Sequence, residues 1–181
     1  MSNLPCWSRN GVGARRLAAL AIALSLVSGA EAKGWSPKSP IVRGDGTAIG
    51  WVRVKVLPGG LMVHLEAKGL PPGELGVHVH SVGRCDGPDF TSAGPHWNPT
   101  GKQHGRLNPL GRHEGDLGDL WVDSNGSTRM DMIPPADGHF ISPFDADGAA
   151  LVIHAQRDDE RTDPSGNSGA RIACAVLQAA K

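Results

Sequence analysis

The sequence predicts an all-β domain, an antiparallel sandwich or barrel, on three observations. Short stretches alternate between apolar and polar residues, as strands with one buried face do. Glycine and proline, 25 and 14 of 181 residues, punctuate these stretches closely, which suits short turns between strands. No apolar pattern of helical period persists for a useful length after the first thirty-odd residues.

The first strand pair is read around a turn at Pro58-Gly59-Gly60. Before it, Gly50, Val52, Val54 and Val56 share one face, and Ile49, Trp51, Arg53 and Lys55 share the mostly polar other. After it, Leu61, Val63, Leu65 and Ala67 alternate with Met62, His64 and Glu66, which completes a β-hairpin. Gly69 to Gly73, with Pro71-Pro72, breaks the chain before the strand Val77-His78-Val79-His80. Leu120 to Asp123 and Thr128 to Met132 flank Asn125-Gly126. That dipeptide favours a turn with two positive φ values, so a second hairpin is expected there. Further strands are expected at Ala149 to Ala155 and Arg171 to Leu177. Two segments, Ser81 to Gly115 and Gln156 to Ala170, are long, polar and rich in Gly, Pro, Asp and Asn. Loops of that length in a compact domain are usually functional. No internal repeat or linker divides the chain.

Composition narrows the class. Lys and Arg number 18 against 18 Asp and Glu, so the basic bias that binds phosphate backbones is missing and nucleic acid is excluded as an expected partner. At 39% hydrophobic residues the chain is not disordered. Tyrosine is absent and aromatics are 4%, so the core must come from Val, Leu, Ile and Ala.

Residues 1–32 read as a cleaved signal peptide. Arg9, Arg15 and Arg16 precede an apolar run from Leu17 to Val27, and Ala30-Glu31-Ala32 is a small-residue cleavage signal. The run falls short of the roughly 20 residues that span a bilayer, so no stable membrane association is expected after cleavage; an uncleaved anchor is the alternative. Arg15-Arg16 is ordinary n-region charge, because the residues after this pair match a twin-arginine signal poorly. Cys6 lies ahead of the apolar run and is removed with it. The domain is then residues 33–181, with 15 basic and 17 acidic side chains and a net charge of −2. It keeps Cys85 and Cys174. Two cysteines in an exported chain most simply form one disulfide; two free buried thiols are the alternative.

Eight histidines are the compositional outlier. His78 and His80 are two apart on an expected strand, so both imidazoles leave the same face and can reach one ion. His96, His104 and His113 follow in the first long loop, with Asp116 three residues further on, and His154 ends another strand. Six histidines and a carboxylate exceed one four-coordinate ion. The count points to two metals with seven ligands, one of them shared. A carboxylate tilts its set toward zinc, whereas an all-histidine set can hold copper in both oxidation states. His64 and His139 have no partner at ligand spacing and are expected to be solvated.

These residues sit in motifs that resemble the copper/zinc superoxide dismutases: Gly76-Val77-His78-Val79-His80, the run Thr91 to Pro99 (TSAGPHWNP), Lys102 to Gly105 (KQHG), His113 to Gly118 (HEGDLG), Val152-Ile153-His154, and Gly166 to Cys174 (GNSGARIAC). The match covers nearly all of the domain. The early cysteine, five residues after His80, resembles the exported bacterial branch, so a periplasmic location is implied.

The resemblance implies an eight-stranded antiparallel Greek-key β-barrel. It implies copper bound by His78, His80, His96 and His154, and zinc bound by His96, His104, His113 and Asp116, with His96 bridging. Asp158 would accept hydrogen bonds from His78 and His104 behind the metals. Cys85 and Cys174 would form the family's disulfide, and Arg171 would stand beside copper and hold superoxide there. Copper would cycle between Cu(II) and Cu(I), converting superoxide to dioxygen and hydrogen peroxide, and His96 would take up and deliver a proton as its bond to copper opens.

Two departures from the family stand out. The second loop contains no lysine and is shorter than its eukaryotic counterpart, leaving Arg157 and Arg161 as the local candidates for guiding the anion. Glu114 adds a carboxylate between two zinc ligands, where it is expected to face solvent. A non-enzymatic copper/zinc module on the same fold is the alternative function, although such domains typically lack part of the copper set or the arginine. A zinc hydrolase would need an open zinc position, and the expected set fills it. The sequence leaves a homodimer open.

Overall fold

The computed structural model describes Met1 and residues 34–57, 59–133 and 141–180. The rest of the signal segment and His139 lie outside the described residues. Eight strands form one antiparallel sheet: β1 (Ser39–Arg43), β2 (Ala48–Leu57), β3 (Gly60–Ala67), β4 (Gly73–His80), β5 (Asp116–Val122), β6 (Thr128–Met132), β7 (Ala150–His154) and β8 (Arg171–Val176). Their order is β5-β4-β7-β8-β1-β2-β3-β6. The connections from β3 to β4 and from β6 to β7 cross to non-neighbouring positions, as in a Greek key. The edge strands β5 and β6 meet through the Thr128 hydroxyl, which donates to the Trp121 carbonyl at 2.7 Å, so the barrel nearly closes.

Alternation builds the core. Val52, Val54, Leu61, Val63, Leu65 and Ala67 point inward and are at most 3% exposed, in a β2–β3 ladder running from Gly50↔Ala67 to Leu57↔Gly60. Ile41, Val77, Leu120, Leu151 and Ile153 complete this aliphatic interior. Phe90 is fully buried in a separate cluster with Ala93, Ala150, Val152 and Cys174.

Three local expectations change. β1 escapes a reading by periodicity because it is five residues long and carries Pro40, which argues against a strand in mid-sheet, yet it lies between β8 and β2. β5 begins at Asp116 rather than Leu120. The register slips between Val77 and His78 as β5 passes β4, so the strand's first turn does not alternate. Asn125-Gly126 does not close a ladder between β5 and β6. Gly126 has φ 75° while Asn125 is not among the residues of positive φ. Asp123 instead ties the turn, its carboxylate accepting the backbone N–H of Asn125 at 2.9 Å and of Ser127 at 2.8 Å.

The two long loops join β4 to β5 and β7 to β8, and both start from strands that carry histidines. Cys85 and Cys174 are disulfide-bonded, which ties the first loop to β8 across 89 positions of sequence. Loop-closure entropy puts the stabilisation at no more than about 4 to 5 kcal/mol. Reduction should therefore lower the denaturant midpoint and loosen the first loop. Two reactive thiols in unreduced exported protein, or an unchanged midpoint after reduction, would contradict this.

Candidate metal centre

β4 and β7 are neighbours, paired Val77↔Ile153 to His80↔Ala150, which brings His78, His80 and His154 to one end of the barrel. The first loop returns along β4: the Trp97 N–H donates to the Val79 carbonyl at 2.8 Å, and the Val79 N–H to the Gly115 carbonyl at 2.9 Å. That return places His96 beside His80.

Each imidazole of this group uses one nitrogen on the protein. His80 Nδ1 donates to the Gly94 carbonyl at 2.8 Å, His154 Nδ1 to the Gly169 carbonyl at 3.2 Å, and His78 Nε2 to Asp158 Oδ2 at 2.8 Å. His78 Nδ1, His80 Nε2, His96 Nε2 and His154 Nε2 remain, buried and without a hydrogen-bond partner. Buried polar atoms are otherwise almost always satisfied. The four histidines offer ligand atoms within 4.8 Å of one another, so a single cation can satisfy all four.

A second set adjoins the first. Asp116 Oδ1 lies 3.0 Å from His96 Nδ1, 3.0 Å from His104 Nδ1 and 3.3 Å from His113 Nδ1, and the two Nδ1 atoms of His96 and His113 are 3.4 Å apart. A tetrahedral ion with bonds near 2.05 Å has ligand-to-ligand edges of about 3.3 Å, the spacing of a zinc site. His78 also comes within 4.8 Å of His96, His104 and Asp116, but its Nε2 is engaged by Asp158 and its Nδ1 belongs to the four-nitrogen group. The donors therefore fit one all-imidazole ion and one N₃O ion that share His96.

Burial, together with mutual repulsion among the rings, depresses His78 to about 3 and His154 to about 4, and also lowers His80 and His96. These four are neutral imidazoles at pH 7, the form that binds metals. His104 differs. Burial opposes its charge, yet Asp116 on one side and Asp158 on the other raise it to about 10. Burial likewise opposes ionisation of Asp116 and Asp158, but hydrogen bonds from the histidines hold both well below the usual carboxylate range.

Asp158 is fully buried behind both sets. One oxygen bonds His78, and the other lies 3.0 Å from His104 Nε2 and accepts the Glu160 N–H at 2.6 Å. A Cβ at Gly166 would lie 1.8 Å from Asp158 Oδ1, and its φ is 62°, so glycine is required there. Asp119, which carries no motif signal of its own, accepts the Asp158 N–H at 2.8 Å; its one sequence cue is its place three residues after Asp116.

Arg171 donates to the Phe90 carbonyl at 2.7 Å and to the Gly94 carbonyl at 2.9 Å. Gly94 is also the carbonyl that orients His80, and the arginine's charge acts on His80 and His154. Arg157, by contrast, sits 2.8 Å from Glu74 and 3.6 Å from Asp119, and Arg161 donates to the Leu107 carbonyl at 3.4 Å.

Two expectations about other polar residues are corrected. Glu114 is 7% exposed rather than facing solvent. His64 is 7% exposed: its Nδ1 is 2.5 Å from Asp131, and its ring lies 5.1 Å from that of Trp51. An outward position on a strand does not imply solvation when an adjacent strand supplies a carboxylate and the same strand's partner an indole.

An antiparallel eight-stranded barrel with an all-imidazole set joined to an N₃O set defines a class of two-metal redox proteins. Residues 49–177 match the copper/zinc superoxide dismutase family, and the chain belongs to that family. It is 40% identical over 164 residues to a Cu-Zn superoxide dismutase of Aquifex aeolicus, covering 88% of this chain and 96% of that one. It is 38% identical to the Cu-Zn superoxide dismutase of Caulobacter vibrioides, over 79% of this chain and 86% of that one. The crystal structure of a superoxide dismutase-like protein from Bacillus subtilis superposes with a TM-score of 0.73 at 41% identity, over 79% of this chain and 99% of that one.

Proposed function

We propose that residues 33–181 form an exported superoxide dismutase with copper held by His78, His80, His96 and His154, and zinc by His96, His104, His113 and Asp116. The observation that carries this is the set of four buried imidazole nitrogens without a partner, converging beside Asp116, whose Oδ1 lies 3.0 to 3.3 Å from the Nδ1 atoms of His96, His104 and His113. When bound, copper supplies one-electron steps that oxidise one superoxide to dioxygen and reduce another to hydrogen peroxide, while zinc, which has no accessible redox change, contributes charge and structure.

The chain's own residues do the rest. Arg171, fixed by two carbonyls, presents a cation beside the all-imidazole set, where it attracts and orients the anion. His96 would hold a proton at Nε2 when that nitrogen is free of copper and give it up as the second superoxide is reduced, the second proton of hydrogen peroxide coming from water. Asp158 keeps His78 and His104 in the tautomers that aim their Nδ1 atoms at the metals. The disulfide suits an oxidising compartment, and with the signal-like residues 1–32 it supports a periplasmic location, where the enzyme would protect the cell envelope. Among the described residues no helix is long and apolar enough to cross a membrane.

Metal analysis and a superoxide-decay assay on residues 33–181 test this together. One copper and one zinc per chain with accelerated decay are expected. Protein carrying both metals without accelerated decay would instead identify a non-enzymatic metal module.

A further inference from the structure

We propose that the Arg106–Glu160 ion pair is a latch between the two long loops that sets how slowly zinc leaves, with Glu160 as a positioning residue for His104. The proposal rests on the assignment of zinc to His96, His104, His113 and Asp116.

Glu160 is 5% exposed although it is a carboxylate in a loop, and a buried charge persists only when it is paired. Its partner comes from the other loop. Arg106 Nε donates to Glu160 Oε2 at 2.8 Å, Nη2 donates to Oε1, and the Arg106 backbone N–H reaches Oε2 at 3.3 Å. This is the two-pronged geometry that makes arginine–carboxylate pairs strong and directional. Glu160 also has φ 58°, a left-handed conformation that glycine adopts at lower cost. The side chain is thus kept at a position where the backbone would prefer none. The sheet leaves room for it: a Cβ at Gly118 would come within 2.6 Å of Arg106 Nη2 and 3.0 Å of Glu160 Oε1.

The latch lies one step from the metal centre on both loops. Arg106 follows His104 by two residues, Glu160 follows Asp158 by two, and His104 Nε2 meets Asp158 at 3.0 Å. Shorter ties run alongside. The Leu107 N–H donates to the Glu160 carbonyl at 3.0 Å, the Asn108 amide to the Arg161 carbonyl at 3.1 Å, and the His104 N–H to Asp163 at 2.7 Å. For zinc to leave, His104 must swing away, and that requires the first loop to lift off the second. Each tie lowers the population of the lifted state, and the ion pair is the only charged, two-pronged one among those described. In the short, lysine-free second loop Glu160, Arg161 and Asp163 thus hold the first loop, while Arg157 pairs with Glu74 and Asp119 on the strands.

The test uses residues 33–181 loaded with one equivalent of zinc, following transfer to a colorimetric chelator and, separately, the visible spectrum of the cobalt(II)-substituted protein. Glu160→Gln and Arg106→Gln should each release zinc about tenfold faster, as expected when a partner behind a ligand is lost. The double variant should be no faster than either single one, because the pair acts as a unit. Arg106→Lys, which keeps the charge but not the fork, should fall between. Glu160→Gly separates side chain from backbone: it relieves the left-handed residue and should still release zinc quickly, with a shifted cobalt spectrum. Release within about twofold of wild type in both single variants, or single effects that multiply in the double one, would overturn the latch. His104→Ala is the control for the underlying assignment. Wild-type zinc retention there would remove the zinc site from these residues, whatever the latch variants do.

Discussion

His96→Ala should fold, keep its disulfide and lose superoxide-decay activity by at least about two orders of magnitude, the upper end of what loss of a partner merely behind a ligand costs. His96 is the one side chain that serves both sets. Its Nε2 is among the four unpartnered nitrogens, and its Nδ1 is 3.0 Å from Asp116. Truncation leaves three donors at each position, so copper and zinc should each bind more weakly and titrate independently of one another. The fold should survive, because His96 belongs to the first loop and to none of the eight strands. A variant that retains one copper, one zinc, an unaltered copper spectrum and full turnover would sink the shared-ligand assignment.

How much of this is legible in the sequence depends on whether a feature repeats along the chain. The β2–β3 hairpin can be read because eight consecutive positions before the turn and seven after it alternate, and the ladder between the two strands runs without a slip. The loop bounds can be read because Ser81 to Gly115 and Gln156 to Ala170 change composition abruptly, and the strands stop at His80 and His154. β1 cannot, since five residues with a proline carry no periodicity of their own, and its place in mid-sheet is decided by β2 and β8. The turn at Asn125-Gly126 departs from expectation for a related reason. The turn itself is tight, with the Gly126 N–H donating to the Asp123 carbonyl and the Asp123 N–H to the Ser127 carbonyl, both at 2.9 Å, but β5 and β6 pair with β4 and β3, so no ladder extends beyond it.

The site divides in the same way. The ligand-bearing residues are chemically conspicuous, so their spacing can be read directly. What aims them is not conspicuous: the carbonyls of Gly94 and Gly169 fix His80 and His154, and a backbone carbonyl has no residue-type signature. Glu114 and His64 are expected in solvent when exposure is judged along one strand or loop, whereas burial is set by what another element lays across it. Glu160 and Arg106 give no signal as a pair because 54 positions separate them.

Arg171 should serve turnover through its charge, with Arg171→Lys, Arg171→Ala and Arg171→Glu keeping both metals while activity falls in that order. Metal retention follows from the contacts. Arg171 bonds the carbonyls of Phe90 and Gly94 and no donor of either metal set, and His80 Nδ1 still holds Gly94 when the guanidinium is gone. The fall in activity follows from electrostatics. Arg157 is drawn to Glu74 and Arg161 to the Leu107 carbonyl, so Arg171 is the cation whose charge is felt at His80 and His154. A single cation in a cleft raises encounter with a small anion by about tenfold or more, and that is the loss expected in Arg171→Ala at low salt. Lysine should recover only part of it, because a point charge cannot hold both carbonyls and the anion as the planar fork does. Salt then separates steering from simple damage to the site. Screening shortens electrostatic reach to about 8 Å at physiological ionic strength, so added salt should slow the wild type, leave Arg171→Ala nearly flat and speed up Arg171→Glu, whose repulsion it weakens. Equal activity of all four proteins at low salt, or parallel salt curves, would show that this charge does not guide the substrate.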